Sequence, residues 1–336
     1  MSSVATREGT QGTGRGSRGA TPVTVRASAH TPTSRRITDT GRQYGRRRIP
    51  TRHTAVSSRT DRPSEAALTV LASIPSPPAN TFELGPLEIH WYGVLIGLGV
   101  VAAAVITVKR YERFGGDPTG LDAVLTWVVL LGFAGARLAY VSTHLDRYEG
   151  RPWAVLFVWE GGLALFGGIT AGALTAVVLL RRRGYDVWRF ADAVAVGLPV
   201  AQAIGRWGNY VNQELFGTPS DLPWAVEIDP ANRPAAFADA ATFHPTFLYE
   251  SLWNLLVVVP AILVLERRGL LPKGAAIGVY LVLYGVIRFL TELLRTDTTF
   301  RLLGLSRNGW VSLLAIGVGI GVVVWRRRTV SAATAR

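Results

Sequence analysis

The chain has 336 residues, 49% of them hydrophobic, a formal net charge of +13 and no cysteine. Without cysteine it can form no disulfide, no thiolate metal site and no Cys nucleophile of its own. Its basicity is weak evidence for nucleic acid, because residues 1–69 hold 13 Arg against four acids (Glu8, Asp39, Asp61 and Glu65) and so carry +9 of the total.

Those first 69 residues are rich in Arg, Ser, Thr and Gly and poor in aromatics. Such a composition buries too little apolar surface to fold, so the segment is read as a disordered Arg-rich tail. It lacks a compact apolar h-region, which separates it from an ordinary signal peptide. It is either a basic tail on an acidic lipid surface or sequence upstream of a true start near Val70, in "VLASIPSPPANTFELG". The second reading is favoured, because the topology derived below places the tail on the side that disfavours positive charge.

From His90 onward seven hydrophobic segments follow, at about 90–108, 121–142, 155–180, 187–204, 246–265, 275–294 and 308–325. Each is close to the length that crosses a bilayer core. The third is Gly-rich, "EGGLALFGGITAGALTAVVLL", and small residues let helices approach closely in lipid. The linkers alternate in charge. "KRYERFGGDP", "RRRGYDVWR", "ERRGLLPKG" and the C-terminal "RRRTVSAATAR" hold three, four, three and four basic residues; the others hold two, two and three. The positive-inside rule puts the first set in the cytoplasm. The predicted fold is therefore an all-α integral membrane protein of seven transmembrane helices, N-terminus outside and C-terminus cytoplasmic. Residues 70–326 form the membrane domain, 205–245 a small extramembrane arm between spans four and five, and 327–336 a short cytoplasmic tail.

At the outer end of the fourth span stands "GRWGNYVNQE", Gly205 to Glu214. Arg137 interrupts the second span, while Arg288, Glu292 and Arg295 interrupt the sixth at i, i+4, i+7, on one helix face. A charge at bilayer depth costs about 2.5–3.5 kcal/mol on the mildest scale. In the plain structural alternative Arg288 pairs with Glu292 and Arg137 snorkels to the surface. Taken together, Arg137, Arg206, Arg288 and Arg295 outnumber Glu292 and Glu160 near the membrane. Guanidinium groups match phosphate oxygens in a bidentate fork, and the phosphate at hand in a bilayer is a phospholipid head group. At the same level "EIHWYG" places His90 and Tyr92, and "HPTFLYE" places His244 and Glu250. Trp91 and Trp253 read as interfacial belt residues. No His has a second ligand at metal spacing, so no metal site is predicted. The residues alone describe an Arg-lined, outward-facing polar site suited to an anionic lipid, and name no reaction.

"GRWGNYVNQELFG" also fits G-R-x-G-N-[FY]-x-N-x-E-x-x-G, and through it the chain resembles the prolipoprotein diacylglyceryl transferases of bacterial inner membranes. "HWYG", "ARLAYV", "HPTFLYE" and "RFLTELLR" follow in the family's order, so the resemblance covers about residues 70–326. It implies seven spans with the N-terminus outside. It also implies that the diacylglyceryl group of phosphatidylglycerol moves to the thiol of a lipobox cysteine in a secreted prolipoprotein, releasing glycerol 1-phosphate. No cofactor is implied, and the nucleophile belongs to the substrate. The leaving phosphate gains negative charge, so cations held around it lower the barrier. By resemblance Arg206 and Arg288 hold that phosphate, Gly208, Asn209, Asn212 and Glu214 shape the same pocket, and Glu214 orients Arg206. Tyr92 and His90 form the outer wall, while Arg137, Glu250, Glu292 and Arg295 support it.

One departure stands out. The family often carries a His in an H-G-G motif on the third span, where this chain reads "LFGGITAG" with Phe166 at the His position. His90, Tyr92 and Glu160 are the substitute candidates for a thiol base. A cationic pocket that lowers the thiol's own pKa is the preferred reading. Two rival functions use the same residues: a non-catalytic phospholipid-binding protein of this fold, and an anion transporter.

Overall fold

The computed structural model describes residues 73–157, 161–296 and 301–334. The Arg-rich tail of residues 1–69 and Glu160 lie outside them. Among the described residues seven helices are long and apolar enough to cross a membrane. They are α1 (Trp91–Arg113), α2 (Leu121–Thr143), α3 (Leu165–Arg182), α4 (Val187–Val211), α5 (Thr246–Arg267), α6 (Ala276–Leu294) and α7 (Arg307–Thr334). Three short antiparallel pairs join them: β1 (Thr81–Leu84) with β2 (Leu87–His90), β3 (Val226–Glu227) with β4 (Thr242–Phe243), and β5 (Arg301–Leu302) with β6 (Leu305–Ser306).

Three boundaries differ most from the sequence expectation, and one of them is the end of the seventh helix, which runs on to Thr334 rather than stopping near residue 325. The third span begins at Leu165 rather than near residue 155. Pro152 opens a separate 3₁₀ turn, Pro152–Leu156, and Gly161 and Gly162 both sit at φ +81, which no helix accepts. The fourth span runs on to Val211, so the polar stretch "GRWGNYV" is the last two turns of a helix rather than the start of a loop. Helix α5 contains a π turn over Asn254–Val258. Pro260 follows it and has no N–H to give back to the preceding turn, so the ladder resumes through a wider ring.

The helices associate as packed pairs. Between α2 and α3 the backbones nearly touch, because a Cβ on Gly135 would come 2.2 Å from that of Ala171, and one on Gly167 2.3 Å from that of Ala139. In lipid no hydrophobic force drives this contact, so van der Waals packing of small residues supplies it. At the opposite end from the polar stretch, Arg110 of α1 donates to Glu266 of α5 (2.6 Å). Asp192 of α4 there accepts from the N–H groups of Gly274 (2.5 Å) and Ala276 (2.9 Å) at the start of α6. Four spans are thereby fixed in register. Asp186 caps α4 through Trp188 N and Arg189 N (3.0 and 3.1 Å) and pairs with Lys273. Partial burial pushes its carboxyl up, but the Lys273 hydrogen bond and the two N–H groups outweigh that and hold it below the usual range.

Candidate active site

The site starts from the way α4 ends. Asn212 is the C-cap, and its N–H still donates to Gly208 O (3.0 Å). The chain then turns through Gln213 and Leu215, at φ +50 and +59. The left-handed region costs an L-residue roughly 1–2 kcal/mol, so other contacts must hold the turn. Gln213 donates to Asp229 Oδ2 (2.6 Å) while Asp229 N donates to Gln213 Oε1 (2.7 Å). The Thr246 hydroxyl donates to Leu215 O. Gly217 bridges Arg295 at the end of α6 and donates to His244 O (2.9 Å). A side chain at Gly217 would meet His244 Cβ at 2.8 Å. Beneath the arm, Phe216, Val226, Ile228, Phe243 and Phe247 form a closed aromatic and aliphatic core.

Three helices converge on one carboxylate. Glu250, in the first turns of α5, is buried and pairs with Arg206 of α4 through Oε2. Its Oε1 lies 3.7 Å from Arg288 Nη1 and accepts from the Thr291 hydroxyl (3.1 Å). Arg288 Nη2 reaches Glu292 Oε2 at 2.7 Å. Glu292 Oε1 in turn accepts from Ser306 Oγ (2.6 Å) and Asn308 Nδ2 (3.4 Å), which ties the start of α7 into the cluster. Arg206 Nη1 donates to Asn209 Oδ1 (3.2 Å), and Asn209 Nδ2 to Glu214 Oε1 (2.9 Å). The Tyr92 ring closes the α1 side. A Cβ on Gly208 would fall 2.5 Å from Tyr92 Cδ2, so only glycine admits the ring there.

The geometry amends the sequence reading in three places. Glu250, not Glu214, is the acid paired with Arg206; Glu214 is exposed and reaches it only through Asn209. The arginines are also not left to an outside anion alone, since Glu250 and Glu292 accompany them. Yet Arg288 Nη1 is buried and makes no hydrogen bond, so the cluster keeps one guanidinium nitrogen with donor capacity unspent. Thirdly, Arg137 faces a loop. Its Nε donates to Val155 O (2.7 Å), Nη2 to Ala154 O (2.8 Å) and Phe157 O (3.1 Å), and Nη1 to Gly162 O (3.0 Å) and Gly161 O. Those five bonds hold the loop that leads into α3. His90 is exposed at the N-cap position of α1 without a capping bond, and Phe166 is half exposed in the first turn of α3. Thr291, Ser306 and Asn308, which bond Glu250 and Glu292, carry no sequence signal beyond their nearness to Arg288 and to the seventh span. Among the described residues no three His, Asp or Glu side chains stand close enough together to hold a metal.

Residues 79–325 match the prolipoprotein diacylglyceryl transferase family model over nearly three quarters of the chain. The chain belongs to this family. It is 46% identical over 247 residues to phosphatidylglycerol--prolipoprotein diacylglyceryl transferase 2 of Streptomyces coelicolor, covering 73% of this chain and 78% of that protein. To the phosphatidylglycerol--prolipoprotein diacylglyceryl transferase of Frankia alni it is 44% identical over 262 residues, 77% and 69% of the two chains. The enzyme of that name from Synechococcus elongatus is 40% identical over 267 residues, 77% of this chain and 91% of the other. The Arg206–Glu250–Arg288 cluster thus lies within the part of the chain that defines the family.

Proposed function

We propose that the chain is a phosphatidylglycerol--prolipoprotein diacylglyceryl transferase of the bacterial inner membrane, with its N-terminus and catalytic cluster on the outer side. The lipobox thiol sulfur of a prolipoprotein attacks the glycerol carbon that bears the phosphate. A C–S bond forms, the C–O bond breaks, the phosphate leaves on glycerol 1-phosphate, and the thiol proton passes to solvent or a nearby base. The leaving oxygen gains charge, so donors already in place around it stabilise the transition state more than the ground state. Arg288 is the lead candidate for this role, since its Nη1 is the buried donor without a hydrogen bond. Arg206 stands across Glu250 from it and is reachable from outside, with 19% of its side chain exposed. Asn209 and Asn212 offer both donors and acceptors to glycerol hydroxyls. Tyr92, with Gly208, fixes the wall against which the lipid glycerol rests. Glu292 and Arg295 hold the end of α6, and His90 lies at the rim.

The observation that carries this reading is the shared Glu250 between two arginines inside the family's own sequence region. The test incubates purified protein with phosphatidylglycerol and a lipobox peptide and looks for the diacylglyceryl mass gain on its cysteine. Arg206→Ala and Arg288→Ala should each abolish the gain while still inserting in the membrane. Normal turnover of either variant removes the leaving-group assignment. Lipid binding without modification would support the non-catalytic reading instead, and anion flux in liposomes a transporter.

A further inference from the structure

Helices α1, α3, α5 and α7 all enter from one face of the membrane, and α4 and α6 end there, so the linkers before α1, α3 and α7 share a side with Arg206 and Arg288. These linkers display large apolar side chains. The β1–β2 tip exposes Leu84 and Leu87, the turns before α3 expose Leu145, Trp153 and Leu156, and the β5–β6 tip exposes Leu302 and Leu303. On the opposite face, the linkers 114–120, 183–186 and 268–275 expose a single one, Leu270. Exposed leucines gathered on one face mark an interaction surface.

Leu303 is the sharpest case. It is 84% exposed, and with Gly304 it forms the two-residue loop of the hairpin, at φ +51 and +80. A loop with both residues at positive φ favours Asn-Gly, and leucine is a poor choice there. Neither its backbone nor its contacts within the fold explain a leucine at this position. The hairpin is also firmly mounted. Trp310 Nε1 donates to Leu302 O (3.0 Å), Gly309 N to Ser306 Oγ (3.0 Å), and Ser306 to Glu292, the partner of Arg288. The base of the hairpin is therefore tied to the charge cluster through Glu292, with the tip two residues away. Leu293 of α6 lines the same small cleft as Arg301 and Gly304 of the hairpin and is exposed, as are Leu290 of α6 and Leu313 and Leu314 of α7.

We propose that these linkers form a leucine collar seated in the interfacial layer of the phospholipid leaflet on the site's side, with Leu303 reaching the acyl chains next to Arg288. The collar keeps the leaflet pressed against the site, so a donor lipid's glycerol reaches Arg288 while its chains stay in the bilayer. This deepens the transferase reading, and its first readout needs no turnover.

Because the chain has no cysteine, single cysteines report without interference. Full-length Leu303→Cys, Leu84→Cys and, as a control on the exposed arm, Asp239→Cys carry a nitroxide in phosphatidylglycerol–phosphatidylcholine vesicles. Collision with oxygen is compared with collision with a water-soluble nickel chelate. Oxygen should dominate at 303 and 84 and nickel at 239. A label at 303 that behaves like the one at 239 overturns the collar. Shielding of 303 that appears only on adding a lipobox peptide also overturns it, and makes the precursor's apolar segment the occupant. Leu303→Asn suits the turn and keeps the hairpin, so its effect is not one of misfolding. It should raise KM for vesicle phosphatidylglycerol about tenfold, the scale of one leucine's burial, with kcat nearly unchanged; an unaltered KM ends the functional half of the proposal. A lipid-buried label in a protein that fails to modify the peptide leaves the collar standing and removes the transferase reading.

Discussion

At the scale of single residues, Glu250 is the side chain on which the cluster turns. It is buried, and it accompanies two arginines on two other helices. Removing one partner of a buried ion pair is far worse than never having had the pair, about 3–5 kcal/mol, because the other charge stays uncompensated. Glu250→Gln is therefore expected to lower stability by about 3 kcal/mol and transfer by about 100-fold or more. Thermal unfolding in detergent and the peptide assay check both; wild-type values for the pair would show that Glu250 is not the bridge. The sequence pointed to Arg206, Arg288 and Glu250 separately, since charges in apolar runs are conspicuous. The resemblance set them in one pocket, but nothing in the sequence paired Glu250 with either arginine, because the joining acid lies 44 positions from one and 38 from the other. Phe166 poses a different question. If the cationic pocket already favours the thiolate, Phe166→His changes the neutral-pH rate only a few-fold. A gain near the 100-fold that a general base brings, with a new limb near pH 6.5, would show that the native site lacks a base it needs.

At the scale of elements, the turn after α4 and the helix pairs decide where the residues stand. The Gln213 side-chain hydrogen bond, followed by that of Ser76, holds the Asp229 carboxyl below its ordinary range. A depressed folded pKa gives stability that is present above the ordinary value, about 4, and is lost as pH falls through the folded one. The turn should thus be indifferent to pH from 5 to 8 and loosen in stronger acid, and Asp229→Asn should remove that acid limb in a proteolysis-against-pH series. An acid limb identical in Asp229→Asn and wild type would mean the pair does not govern the turn. Gly208→Ala drives a methyl into the Tyr92 ring, so transfer should fall at least tenfold while unfolding shifts little; unchanged turnover would free Tyr92 from the site. Asp186→Ala removes the cap of α4 and should cost about 1 kcal/mol with turnover retained. The periodic apolar runs made all seven helices legible. The ends were less so, because a polar run such as "GRWGNYV" continues a helix once Glu250 of α5 receives the charge of Arg206, which local sequence does not reveal.

At the scale of the whole molecule, the alternation of basic linkers gives an expected orientation through the positive-inside rule. Residue 117 should lie on the cytoplasmic side and residue 239 outside. In intact cells a membrane-impermeant maleimide should label Asp239→Cys directly and Asp117→Cys only after permeabilisation; the reverse pattern would invert the topology and place the site on the wrong side for secreted precursors. The sequence by itself determined that the chain crosses a bilayer seven times and which family it belongs to, because span length, charge alternation and a thirteen-residue motif are local and need no partner. Only the tertiary structure decided how the buried charges are shared. It assigned Glu250 to both arginines, turned Arg137 onto the carbonyls of the loop between α2 and α3, and tied the base of the β5–β6 hairpin to Glu292. Each of these is a choice among several possible partners, and a charge in low dielectric settles with whichever opposite group or dipole packing brings within about 4 Å.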